Sequence, residues 1–393
     1  MRRSAEPSPV YLDHAATTPI DPDVAEAMAA CLRDGGRCGN PSAIHVAGRR
    51  ARQAIERARG ELADLLNCRP RSLVFTSGAT EADNLAVIGG ARFREHRGRH
   101  IVTVTTEHKA VLESCAAMEK AGWQVTRIAP DADGLVPPRA LAEALRPDTQ
   151  LVSVMHVNNE TGVVQDIAEL GSLCRDHDVL FHVDAAQSAG KLPLDLDELP
   201  VDLLSLTAHK FHGPQGIGAL YIADRPGCGV TPMFHGGSQE RRLRPGTLPL
   251  ALIVGLGAAA RIAAARMEQD YAHVRALARR LLGGLAGVPG IRRNGSPSSS
   301  YPGIVNLSAA GVEGESLMLA LEPVCVSSGS ACNSQSGEPS FVLKALGLSD
   351  REAQAAIRFS FGRDTSAADV DFAVSRYVSA VSRLRALAPA EAA

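Results

Sequence analysis

The chain has 393 residues, 45% of them hydrophobic and 21% charged, with a formal net charge of −2. That length favours two domains, or one large α/β domain with an appendage, and it can bury a sizeable core. The near-neutral balance excludes a nucleic-acid or membrane-surface binder driven by charge. Only five of the 41 basic residues are lysine (Lys109, Lys120, Lys191, Lys210, Lys344), so chemistry that needs an amine has five candidates. The eight cysteines are too sparse for a disulfide scaffold, none stands in CxxC spacing, and His and Cys lack zinc-site spacing. Residues 1–10 lack an apolar stretch, and the uncharged apolar run 248–260 is too short to span a bilayer. A cytoplasmic protein with no signal peptide and no membrane partner is expected.

In chain order, 49–59 is arginine-rich with a helical pattern and reads as a solvated helix face rather than a nucleic-acid site. From residue 72 apolar runs alternate with helical patterns. Strands are expected at 72–77, 101–106, 151–157, 179–184, 203–206 and 217–222, with helices after 80 and over 110–121 and 166–177. Such alternation predicts a mostly parallel sheet covered on both faces. Beyond Gly246, Met267, Tyr271, Val274, Leu277 and Leu281 share one helix face, as do Val370, Val374, Tyr377, Val381 and Leu384. Between them stand strands at 304–307 and 356–361 and a Ser/Gly-rich loop at 327–340. The expected division is a large domain over 14–260 and a smaller α+β domain over 261–393 together with 1–13.

In parallel α/β sheets ligands sit beyond the carboxyl ends of the strands. Four features fall there: Ser77–Thr80, His108, Asn158–Glu160, and Asp184 with Gln187. Each alone is compatible with a capped strand-to-helix turn; four in one layer point to a site. Lys120 and Lys344 lie in helical patterns and read as solvated. Lys109 opens a helix, and Lys191 lies in a Gly-Lys-Leu-Pro loop. Lys210 follows a buried strand and precedes a Gly/Pro-rich turn, a setting that desolvates an amine and suits Schiff-base chemistry.

Nine segments in order carry a resemblance: YLDHAATTP (11–19), FTSGATE (75–81), TEHK (106–109), MHVNNE (155–160), HVDAAQ (182–187), AHK (208–210), RPGT (244–247), SSGSAC (327–332) and IRFS (357–360). Together they resemble the pyridoxal-phosphate-dependent cysteine desulfurases of the NifS/IscS type, group I, over residues 10–385. The resemblance implies the three-layer fold type I of pyridoxal-phosphate transferases and a homodimer. It implies that Lys210 carries the cofactor, that Asp184 pairs with the ring nitrogen, and that Gln187 and Asn159 contact the ring's phenolic oxygen. Ala79, Thr80, Thr207 and His209 correspond to the phosphate cradle, and Thr247 to a contact with the neighbouring subunit's phosphate. His108 matches the imidazole stacked on the ring for acid–base work, and Arg358 the clamp on the substrate carboxylate.

Cys332 matches the thiolate that takes sulfur from L-cysteine as a persulfide and passes it to an acceptor protein, with alanine as co-product. No resident metal is expected; Cys332 would at most be a transient iron–sulfur ligand during transfer. Cys31, Cys68, Cys115, Cys174 and Cys325 read as buried packing residues, while Cys38 and Cys228 lie in Gly-rich turns. Asn333 and Gly337 depart from the family's common threonine and leucine. Residues 387–393 stand where housekeeping members carry a longer tail that docks the iron–sulfur scaffold, so scaffold assembly is not the expected main role. Iron–sulfur cluster assembly by a dedicated system, tRNA thiolation and DNA sulfur modification stay open as destinations. The rivals are a selenocysteine lyase, an aminotransferase of the same fold and, from another class, a dinucleotide-binding protein suggested by GxGxxA at 255–260. The last lacks an acidic residue about 20 positions on, and close helix packing explains its glycines better.

Overall fold

The computed structural model describes residues 9–33, 39–328 and 338–387. Among the described residues twelve strands are formed: β1 (Val10–Tyr11), β2 (Leu73–Thr76), β3 (His100–Val104), β4 (Gln124–Ile128), β5 (Thr149–Met155), β6 (Leu180–Asp184), β7 (Leu203–Thr207), β8 (Gly218–Ile222), β9 (Ile291–Arg293), β10 (Ile304–Ala309), β11 (Val324–Cys325) and β12 (Ala356–Ser360). Seven make the central sheet, in the order β2-β8-β7-β6-β5-β3-β4. Within it β8 runs against its neighbours, pairing antiparallel with both β7 and β2, so the other six end at one edge. The fold is mixed α/β with a mostly parallel sheet, as expected.

Strand alternation divides the core. Ile101, Leu151, Leu180, Leu203 and Leu220 face one layer, with Leu85, Val111 and Trp123. Val102, Val152, Phe181, Leu204 and Tyr221 face the other, with Ile55, Leu62 and Leu256. Burial on both sides explains why these strands read as continuous apolar runs. Local signals set the helix starts: Asp166 accepts the Glu169 N–H at 2.9 Å, and Ser349 with Glu352 forms a capping box.

The helix Leu250–Leu285 is longer than the expected one and joins two cores. Ile253, Leu256 and Ala263 pack beneath the large sheet. Val274, Leu277, Leu281 and Leu285 pack against a three-stranded antiparallel sheet, β12-β10-β9, and the helix Ala367–Leu387. The helix is apolar and long enough by composition to cross a membrane, but it threads both cores. Its glycines serve close packing. A Cβ on Gly257 would lie 2.6 Å from the Ala58 Cα of the helix Val46–Leu65, which answers the GxGxxA question in favour of helix contact.

One expectation about the arginine-rich helix is corrected. Arg49, Arg52 and Arg57 are exposed, but Arg59 is buried and paired with Glu240 at 2.7 and 3.0 Å, because the helix turns that position inward over Phe75. The packing cysteines also divide. Cys115 and Cys174 are buried, whereas Cys31, Cys68 and Cys325 are only half-buried, since the first lies on a helix facing partly outward, the second in the turn after a helix and the third in the two-residue strand β11. Cys38, Cys332, Asn333 and Gly337 lie outside the described residues.

Candidate active site

The shared strand edge opens into a cavity of 470 Å³. After β2 the chain turns at Gly78, whose φ of 153° belongs to glycine, and leads into a helix beginning at Ala79. A Cβ there would stand 3.8 Å from the Thr207 hydroxyl at the end of β7, so the Gly78–Thr80 turn and Thr207 face each other across the opening. Ala79, Thr80, Thr207 and His209 all line the cavity. Beyond β3, His108 caps the helix Lys109–Lys120 by accepting the Ala110 N–H at Nδ1, 3.1 Å. That bond leaves the ring hydrogen on Nε2. Burial, with the cations Lys210 and Lys109, lowers the His108 pKa against the pull of Asp184, so the ring is neutral.

Asp184 is the last residue of β6, between Met155 of β5 and Ser205 of β7. One of its oxygens accepts the Ala186 N–H at 2.8 Å. Burial raises its pKa; His108, that N–H and Lys210 oppose the rise. Two further buried carboxyls, Asp83 and Glu107, are held well above the ordinary range by burial, each raised further by Asp184. Gln187 and Asn159 also line the cavity, the latter in a turn built on Asn158, whose Oδ1 accepts the N–H groups of Glu160 and Thr161.

Lys210 stands in a short 3₁₀ turn, Ala208–Lys210, directly after β7. Its Nζ donates to the carbonyls of Ala15 (2.5 Å) and Ala16 (2.7 Å), on the N-terminal segment that crosses from β1. Arg358 comes from β12 of the smaller sheet and is almost fully buried. Its fork donates to Asp13 Oδ1 and the Asn159 carbonyl, both at 2.8 Å, while Nε has no partner among the described residues. The Arg358 backbone pairs with Ser327, its N–H reaching the Ser327 carbonyl at 2.7 Å. Past 329–337, Ser340 donates to Glu160 Oε2 at 2.5 Å.

Lys210, His108, Ala79, Thr80, Asn159, Asp184, Gln187, Thr207, His209 and Arg358 are thus brought together. Thr247 is not: it is exposed and does not line this cavity. Lys109, Lys120 and Lys344 are exposed, but Lys191, read from sequence as a loop lysine, is half-buried and donates to Gln187 Oε1 at 2.9 Å. Sequence reasoning also missed Asp13, the partner of Arg358, although it stands inside the YLDHAATTP segment.

The class-V aminotransferase signature matches residues 10–372. The cysteine desulfurase IscS of Photobacterium profundum is 51% identical over 382 residues, 97% of this chain and 95% of that protein. A solved NifS-like protein superposes with a TM-score of 0.88 at 35% identity, covering 96% of this chain and 100% of that one. A structure described as SspA in complex with cysteine gives a TM-score of 0.79 at 38% identity, covering 90% and 98%. With this fold, this cavity and these likenesses, the chain is a member of the class-V aminotransferase family, among its cysteine desulfurases.

Proposed function

We propose that the chain removes sulfur from L-cysteine with pyridoxal phosphate as cofactor, releasing alanine and leaving a persulfide on Cys332 for an acceptor protein. The observation that carries this reading is the convergence of Lys210, Asp184, His108 and Arg358 on one cavity from β7, β6, β3 and β12. The residues present fit the cofactor. Asp184 is a buried carboxyl raised by desolvation, and a protonated ring nitrogen facing it would restore its ionised form. The corner formed by Ala79, Thr80, Thr207 and His209 would take the phosphate, with Lys210 Nζ as the attachment point. Bound there, pyridoxal phosphate supplies a sink for the electrons left when substrate Cα loses its proton.

The chain's own residues do the rest. Arg358 turns its fork to the substrate carboxylate, a planar match that a lysine could not make. Lys210, lining the same cavity, would take the Cα proton. His108 presents its Nε2 hydrogen to the reacting groups and can recover it. The Cys332 thiolate then attacks the substrate sulfur: an S–S bond forms as the C–S bond breaks, and the electron pair stays on the three-carbon product, which is protonated and leaves as alanine.

Thr247, outside the cavity of its own chain, is assigned to the phosphate held by a second copy in a homodimer. The larger unit (14–260) would hold the cofactor, and the smaller (261–393 with 1–13) the substrate clamp and sulfur carrier. A cytoplasmic setting with a protein acceptor is part of the same reading. Lys210→Ala should lose the visible absorbance of the cofactor-loaded protein and turnover together. Cys332→Ala should keep that absorbance while sulfide and persulfide release from cysteine fall to background. Undiminished sulfur release from Cys332→Ala would sink the assignment.

A further inference from the structure

Gln187 has a neighbour that does not line the cavity. Lys191 Nζ donates to Gln187 Oε1 at 2.9 Å, while Gln187 Nε2 donates to the Ala15 carbonyl at 2.8 Å. The two ends of a glutamine amide have nearly the same shape but opposite hydrogen-bonding sense. Both neighbours demand one orientation here: a carbonyl can only accept, and an ammonium can only donate. The second Nε2 hydrogen is thereby left for whatever oxygen occupies the cavity.

The fold goes to some length to put Lys191 there. Gly190 turns the chain with φ 73°, and a Cβ on it would lie 2.8 Å from Phe211. The N–H groups of Lys191 and Leu192 both donate to the Ser188 carbonyl at 2.9 Å. The ammonium stands 5.7 Å from the Tyr301 ring centre, a position that favours a cation. Burial and the cations Lys210 and Arg358 push its pKa down to about 7, so the donate-only ammonium is the form present below neutral pH. A methionine would fill similar space without that cost.

We propose that Lys191 is a positioning residue: together with the Ala15 carbonyl it holds the Gln187 amide so that its nitrogen, rather than its oxygen, is presented to the oxygen-bearing edge of the bound cofactor. This rests on the proposed cofactor. A preset donor favours the charged form of the oxygen it meets, so loosening its orientation should move the titration of the bound chromophore by about one pH unit.

The test is the midpoint pH of the visible absorbance change in pyridoxal-phosphate-loaded protein, for Lys191→Met, Gln187→Ala and the double variant. Each single substitution should shift the midpoint, and Lys191→Met should add nothing in the Gln187→Ala background. Lys191→Gln, whose amide can also accept and so no longer dictates the orientation, should behave as Lys191→Met does and covers the case in which methionine prevents folding. Additive shifts would show that Lys191 acts as a bare charge, and an unshifted Lys191→Met would show that it does not act on the chromophore. Either overturns the proposal. A wild-type protein that takes up no pyridoxal phosphate overturns the cofactor reading as well, and is recognised by the missing absorbance before any substitution.

Discussion

Glu107 sits one residue before His108, with one oxygen on the Met155 N–H at 2.8 Å and the other buried without a partner among the described residues. Burial and the nearby Asp184 keep it protonated in the fold, whereas the unfolded chain ionises it near 4.5. The folded state therefore binds the extra proton. Stability from this group is fullest below pH 4.5 and declines as pH rises above it. Glu107→Gln should flatten that decline, seen as a smaller difference between urea midpoints at about pH 5 and about pH 8; an unchanged difference would contradict the protonated assignment. Residues such as His108, Asp184 and Lys210 were legible in sequence because each stands at the end of an apolar strand run, where a parallel sheet puts its ligands. Lys191 was not, since its place depends on a left-handed turn at Gly190 and on Tyr301, more than a hundred positions away. Asp13 was hidden for the same reason: its partner Arg358 lies 345 residues further on.

At the scale of elements, strands buried on both faces were read within a few residues of their ends. β4 escaped because it is the sheet's edge, with Gln124 and Arg127 exposed, so its run is not continuously apolar. β1 and β11, two residues each, pair only with one another and leave no periodicity to detect. The helix Val46–Leu65 was legible as a helix but not as an anchor. Its Arg59 holds Glu240, which also accepts the Phe75 N–H at 2.8 Å. Glu240, Arg241 and Arg242 take left-handed φ values of 43°, 58° and 65° in succession, unfavourable for residues with a Cβ. Arg59→Ala, which strands a buried carboxylate beneath this segment, should cost about 3–5 kcal/mol in urea unfolding. Arg59→Met with Glu240→Gln should cost less, and equal losses would mean that burial of charge is not the cause.

Across the whole molecule, the helix Leu250–Leu285 belongs to both cores, and the site lies where the large sheet's strand ends meet β12. Length led to the expectation of two domains; how one helix serves two cores could not be read from a pattern that changes partners halfway along its length. The N-terminal segment makes the opposite crossing. β1 pairs in parallel with β11, Leu12 donates to the Cys325 carbonyl at 2.9 Å, and the Ala15 N–H reaches Ser360 Oγ at 2.8 Å, before Ala15 and Ala16 receive Lys210. Residues 12–15 therefore find partners more than 300 positions later in the chain. The seven strands of the large sheet all lie before residue 223 and can pair while synthesis continues, whereas the contacts of the N-terminal segment must wait until β11 and β12 have been made. A nascent chain in this state has its strands, but the Ala15 and Ala16 carbonyls that receive the lysine still lack their anchorage to β11 and β12.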